Sequence, residues 1–102
     1  MSQLSWQINA NDDVPCLVLR GELTRATIMH VWRERTQWLR SQSSLQIDLE
    51  KVTKVDSAGI AFLLETLTFL NQHQQELRLC NVGQQVRDIA AVSGVTGLLS
   101  LS

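Results

Sequence analysis

A chain of 102 residues with 44% apolar content is long enough to bury one hydrophobic core without disulfides or a structural metal, so a single domain over residues 1–102 is expected. Nine basic residues against ten acidic ones give a formal net charge of -1, which argues against a nucleic-acid or anionic-membrane binder. Residues 1–7 show neither a basic nor an apolar leader region, and the longest apolar stretch, residues 60–70, is interrupted by Glu65 and too short to span a bilayer; a soluble, cytosolic protein is expected.

Leu4-Ser5-Trp6-Gln7-Ile8 alternates apolar and polar residues, residues 9–15 are rich in turn formers, and Cys16-Leu17-Val18-Leu19-Arg20 is a second apolar run that stops at Gly21. This pair predicts a strand hairpin with a loose loop. From Thr24 onward Ile28, Val31, Trp32, Trp38 and Leu39 recur at helical spacing, which predicts a helix with Thr24 as its N-cap, ended by residues 41–44. Leu45-Gln46-Ile47-Asp48-Leu49 alternates strictly, as a third strand does when one face is buried.

After Val52 and Val55 comes Asp56-Ser57-Ala58-Gly59, then an apolar-rich segment to about residue 72 that is too long for a strand and reads as a helix. Leu77-Arg78-Leu79-Cys80-Asn81-Val82 predicts a fourth strand. A last helix carries Val86, Ile89 and Ala90 on one face and stops at Ser93-Gly94, with Gly94 as the C-terminal cap glycine. The apolar tail, residues 95–101, is expected to pack back on the domain. The order β-β-α-β-α-β-α contains a strand-helix-strand unit over residues 45–82, expected to be a right-handed parallel crossover. The fold class is α/β, a small mixed sheet carrying helices, with the turn after the third strand left at a sheet end open to ligands or partners.

Ser57 stands where a strand gives way to a helix, a position at which its hydroxyl can cap a backbone N–H. Gly59 costs roughly 1 kcal/mol of helix propensity against alanine, so its presence signals a need for close backbone approach or for room there. At 100° per residue the helix divides into two stripes: Ile60, Leu63, Leu64, Leu67 and Leu70 toward the sheet, and Ala58, Ala61, Phe62, Glu65 and Phe69 opposite. An exposed apolar stripe is a protein contact site, unless the last helix or the tail covers it.

Enzymatic chemistry has little to stand on. His30 and His73 are far apart and read as solvated side chains, and no nucleophile elbow or phosphate-cradling glycine loop is present. Asp48 reads as a strand surface residue and Asp56 as a charge favourable beside a helix N-terminus. Cys16 and Cys80 lack metal-ligand spacing and read as buried reduced thiols, and the three tryptophans read as packing residues.

The strings Gly21-Glu22-Leu23-Thr24, Ile47-Asp48-Leu49 and above all Val55-Asp56-Ser57-Ala58-Gly59-Ile60-Ala61-Phe62-Leu63-Leu64 resemble the STAS family, over nearly the whole chain. The resemblance implies a STAS fold, a mixed sheet of four to five strands with about three to four helices, and neither catalysis nor a cofactor or metal. Leu4-Ser5-Trp6, Trp32 and Lys54-Val55-Asp56 resemble the subgroup attached to the Mla phospholipid ABC transporters, which maintain outer-membrane lipid asymmetry. That likeness implies binding to an ABC transporter ATPase subunit, a cytoplasmic place peripheral to the inner membrane, and a partner face made of Thr24, Asp56, Ser57, Ala58, Ala61, Phe62, Glu65 and Phe69.

The family's antagonist branch implies an alternative, an anti-sigma factor antagonist phosphorylated at Ser57 by an anti-sigma factor kinase, whose phosphate releases the partner. A phosphate adds about -1.5 to -2 charges, tolerated by a helix N-terminus but not by a fitted apolar interface. Two positions depart from the family pattern: Thr24 stands where an acid is common, and Ser57 replaces the transporter subgroup's Thr. An isolated copy could pair weakly as a homodimer through the uncovered stripe.

Overall fold

The computed structural model describes residues 3–10 and 14–99. Four strands, β1 (Leu4–Asn9), β2 (Cys16–Leu23), β3 (Leu45–Val55) and β4 (Leu77–Cys80), form one sheet in the order β1-β2-β3-β4. Four helices accompany it: α1 (Ile28–Arg33), α2 (Arg35–Trp38), α3 (Ser57–Gln72) and α4 (Gln84–Val92). β1 and β2 are the antiparallel hairpin that their alternation predicts, with Trp6 opposite Leu19 and Ile8 opposite Leu17.

β2 and β3 are parallel, as are β3 and β4. The chain therefore makes two crossovers, the expected one through α3 and a second through α1 and α2 that the sequence pattern did not announce. Each moves one strand over in the same direction, and right-handed crossovers of that kind put their helices on the same side of a sheet. The strand pattern agrees. Leu17, Leu19, Leu45, Ile47 and Leu49 point into the core, while Cys16, Val18, Gln46 and Asp48 between them stay half-exposed. Both cysteines are only half-buried, which corrects the expectation of buried thiols.

The segment expected as one helix from Thr24 is broken. Residues 24–27 form a turn in which the Thr24 carbonyl accepts the N–H groups of Thr27 and Ile28, both at 3.0 Å, so the helix starts at Ile28 with Thr27, not Thr24, at the N-cap. The Thr27 hydroxyl holds this turn, donating to the Glu22 carbonyl at 2.6 Å and accepting from the Thr24 N–H at 3.1 Å. Glu34 then interrupts the helix between α1 and α2, and its carboxylate accepts from the Trp6 indole at 3.1 Å, tying β1 to the helical layer.

β3 is longer than the alternating core of residues 45–49, running on to Val55. Its register against β2 slips twice, between Val18 and Arg20 and between Gly21 and Glu22, and such bulges bend and twist a strand. β4 accompanies it only along residues 45–48. Beyond that point α4 approaches: the Gln85 side-chain carbonyl accepts the Val55 N–H at 2.5 Å.

α3 packs on the sheet through Ile60, Leu63 and Leu70, with Phe62 and Thr66 also buried. Leu64 and Leu67, expected on the sheet face, are half-buried at its flank. Phe62 reverses the expectation made for it. It is 3% exposed, and its ring meets Trp32 at 5.9 Å and Trp38 at 5.7 Å between centroids, because α1 and α2 lie against that side of α3. Thr66 satisfies its hydroxyl by donating to the Phe62 carbonyl at 3.0 Å. α4 buries Val86 and Ala90, ends at Ser93, and is followed by Gly94 at φ 73°, the left-handed position that favours glycine. From the tail, Leu99 is buried and Val95 half-buried, while Leu101 lies outside the described residues.

Candidate functional site

The end of β3 leads directly into α3, and Asp56 is the residue between them. Its backbone is extended and its side chain is the N-cap, a role expected of Ser57 that falls one residue earlier. Oδ1 accepts the Gly59 N–H and Oδ2 accepts the Arg25 N–H, each at 3.0 Å, so one carboxylate closes the helix end and pins the turn after β2. Its N–H donates to the Leu23 carbonyl at 3.3 Å. Partial loss of water pushes the Asp56 pKa upward, but the N–H donors of Arg25, Gly59 and Ala58 and the Lys54 charge outweigh it, leaving the carboxyl below its ordinary value. The site carries a fixed negative charge at neutral pH.

Gly59 is needed for the chain's own packing. A Cβ there would lie 2.2 Å from the Leu23 carbonyl oxygen, so the first turn of α3 can sit on the end of β2 only because residue 59 has no side chain. The close approach read from the sequence is real, and its partner is β2.

Ser57, the first helical residue, is exposed at this end of the sheet, with Ala58 half-buried beside it. Ala61 and Glu65 continue the exposed side of α3. Phe62 is not part of that surface, being in the core. Phe69 is half-buried, about 18 Å along the helix from Ser57 at 1.5 Å per residue, and its ring packs against His73 at 4.5 Å. Thr24 is 6% exposed and belongs to the turn rather than the surface. The continuous apolar stripe of two phenylalanines is thus corrected to a small polar tip with an exposed helix flank.

Two hollows flank the tip. One of about 490 Å³ is lined by Glu22, Thr24, Arg25, Ala26, Lys54 and Asp56, and a largely apolar one of about 460 Å³ by Val55, Ser57, Ile89 and Val92 together with Asp56 and Asp88. Arg25, Gln85 and Val92 were not singled out by sequence reasoning. The first two act through hydrogen bonds between segments about thirty residues apart, which no local pattern signals. His30 is exposed and pairs with Glu34 at 3.2 Å, and His73 is exposed as expected. Among the described residues no group of three or more His, Cys, Asp or Glu is placed to hold a metal, and no helix is long and apolar enough to cross a membrane.

A four-stranded mixed sheet carrying helical crossovers, with an Asp-capped helix start at the end of parallel strands, defines a STAS-type domain. The family profile described as "Mlab, STAS domain" matches residues 6–100, and the chain belongs to this family. It is 28% identical over 97 residues to an intermembrane phospholipid transport system binding protein, MlaB, of Haemophilus influenzae, covering 91% of this chain and 92% of that one. In fold it is similar to an anti-sigma factor antagonist from Mycobacterium paratuberculosis, with a TM-score of 0.80 at 18% identity over 94% of this chain and 82% of that one. The Bacillus cell fate determinant SpoIIAA, solved in its phosphorylated form, gives 0.70 at 17% identity, covering 93% and 87%.

Proposed function

We propose that this domain works by docking the Asp56–Ser57 end of α3 onto a partner protein that handles ATP. The observation that carries the reading is the exposed Ser57 at a helix start whose position is fixed from three sides, by the Arg25 turn, by β2 beneath Gly59 and by Gln85 of α4. A tip so held presents a preformed surface and loses little freedom on binding. The contact comprises Asp56, Ser57 and Ala58 with Ala61 and Glu65 below. Thr24 and Phe62 act from behind by shaping the turn and seating α3, and Phe69 lies at the far margin.

The partner is the ATPase subunit of an ABC-type phospholipid transporter, and the domain is a cytoplasmic accessory subunit peripheral to the inner membrane. Support comes from the likeness, over nine-tenths of both chains, to a protein named for intermembrane phospholipid transport. Co-purification with the ATPase of the same organism tests it: wild type and Ser57→Thr should hold the ATPase at fixed stoichiometry, and Ser57→Asp should lose it. Equal retention of the ATPase by all three removes Ser57 from the contact.

A second reading, an anti-sigma factor antagonist switched by phosphorylation of Ser57, is favoured by the exposed hydroxyl itself. A phosphate at the first helical residue would meet the positive end of the α3 dipole, with Arg25 and Lys54 in the adjoining hollow. Its fold is shared with a solved antagonist and with SpoIIAA in its phosphorylated form. Incubation with an anti-sigma factor kinase and ATP should then place one phosphate on Ser57 by mass spectrometry, and a Ser57→Ala variant should take none.

A further inference from the structure

α4 has two faces. Val86 and Ala90 are buried, while Gln85, Asp88, Ile89 and Val92, related pairwise by steps of three and four residues, share the side turned toward the start of α3. The Gln85 bond to the Val55 N–H sets the position of this side against the end of β3. Val92 is 91% exposed and lines the groove together with Ile89 and Val55. A single exposed valine is ordinary. An exposed valine over an apolar trough that opens beside Ser57 is a seat for another side chain.

The charges say what kind. The ionisable residues lining the groove are Asp56 and Asp88, both carboxylates, and no cation lines it. Gln84 holds one oxygen of Asp88 at 2.7 Å, fixing that carboxylate at the rim. A neutral or acidic segment laid here would strip water from these acids without replacing it, whereas a basic one would answer both.

We propose that this groove receives an aliphatic side chain of the docked partner, with a lysine or arginine beside it facing Asp88, so that the partner's footprint runs from Ser57 across α4. The inference rests on the docking reading and adds to it the chemistry of the partner's contact segment.

The test measures affinity of the purified transporter ATPase subunit for the full chain and its variants. Val92→Lys and Asp88→Lys should each weaken binding about tenfold or more, as expected for centrally placed contacts, and Val92→Leu should stay within about twofold of wild type. Both sites are on the outside of α4, and melting curves should be unchanged. Amides of residues 84–92 should gain protection from hydrogen exchange in the complex. Wild-type affinity in both lysine variants, with Ser57→Asp still abolishing binding, overturns the groove and leaves the docking reading standing. Should the ATPase fail to bind the wild type, the transporter reading falls, and the same variants are measured against an anti-sigma factor kinase: weakened binding upholds the groove and undiminished binding overturns it. Binding by neither protein overturns the groove along with the docking reading.

Discussion

Replacing Gly59 with alanine sets two effects of opposite sign against each other. Helix propensity alone favours the variant by about 1 kcal/mol. The added Cβ, however, would stand 2.2 Å from the Leu23 carbonyl oxygen and 3.0 Å from its Cγ. Leu23 is fully buried, and its carbonyl accepts the Asp56 N–H, so α3 must lift from β2. Overpacking of this kind costs about 1–3 kcal/mol, and loosening the Asp56 amide bond adds about 1 kcal/mol. After the propensity gain the net loss is about 1–3 kcal/mol, a fall in melting midpoint of roughly 5–20 °C for a domain of this size. Thermal unfolding followed by far-ultraviolet circular dichroism measures it directly. A Gly59→Ala protein melting at or above the wild-type midpoint refutes the argument, because the contact between α3 and β2 would then not require glycine.

Phe62→Ala should cost about 3–5 kcal/mol by urea denaturation, from the lost ring and the cavity left between Trp32 and Trp38, and Phe62→Asp should show no cooperative unfolding; a wild-type melt for the aspartate variant would return Phe62 to the surface. Asp56 gives a pH signature. Its pKa is lower folded than unfolded, so its stabilisation is fully present above the unfolded value of about 3.9 and is lost as pH falls through the folded one. Asp56→Asn keeps a competent cap but no charge, so it should be less stable than wild type at pH 7, with the gap closing on acidification; a gap independent of pH would assign the effect to geometry alone.

The strands of the hairpin, the alternating core of β3 and the bounds of α3 were legible because period-two and long apolar patterns are local. The Asp-Ser-x-Gly joint was legible too, though Asp56 rather than Ser57 closes the helix, a choice decided by reach to the Arg25 turn. The second buried side of α3, the one that carries Phe62, was not. Apolar residues surround that helix almost completely, so its weak amphipathicity points nowhere, and the side holding Phe62 is set by where Trp32 and Trp38 arrive. The far half of β3 escaped notice because Glu50, Lys51 and Lys54 break the alternation around the two bulges. The parallel pairing of β2 with β3 depends on a crossover split at Glu34, which the spacing of Val31, Trp32 and Trp38 had merged into one helix.

The long reach of β3 past β4 leaves one margin of the sheet without a neighbouring strand over residues 49–55. Such a margin can recruit a second chain edge to edge and seed ribbons. Here the Asp48 carboxylate accepts the Glu50 N–H, Gln85 takes the one at Val55, two register slips twist the strand, and lysines flank it. Backbone donors at both ends of this margin are thus already taken, and a neighbouring copy meets a twisted, charged edge rather than a flat template for ribbon growth.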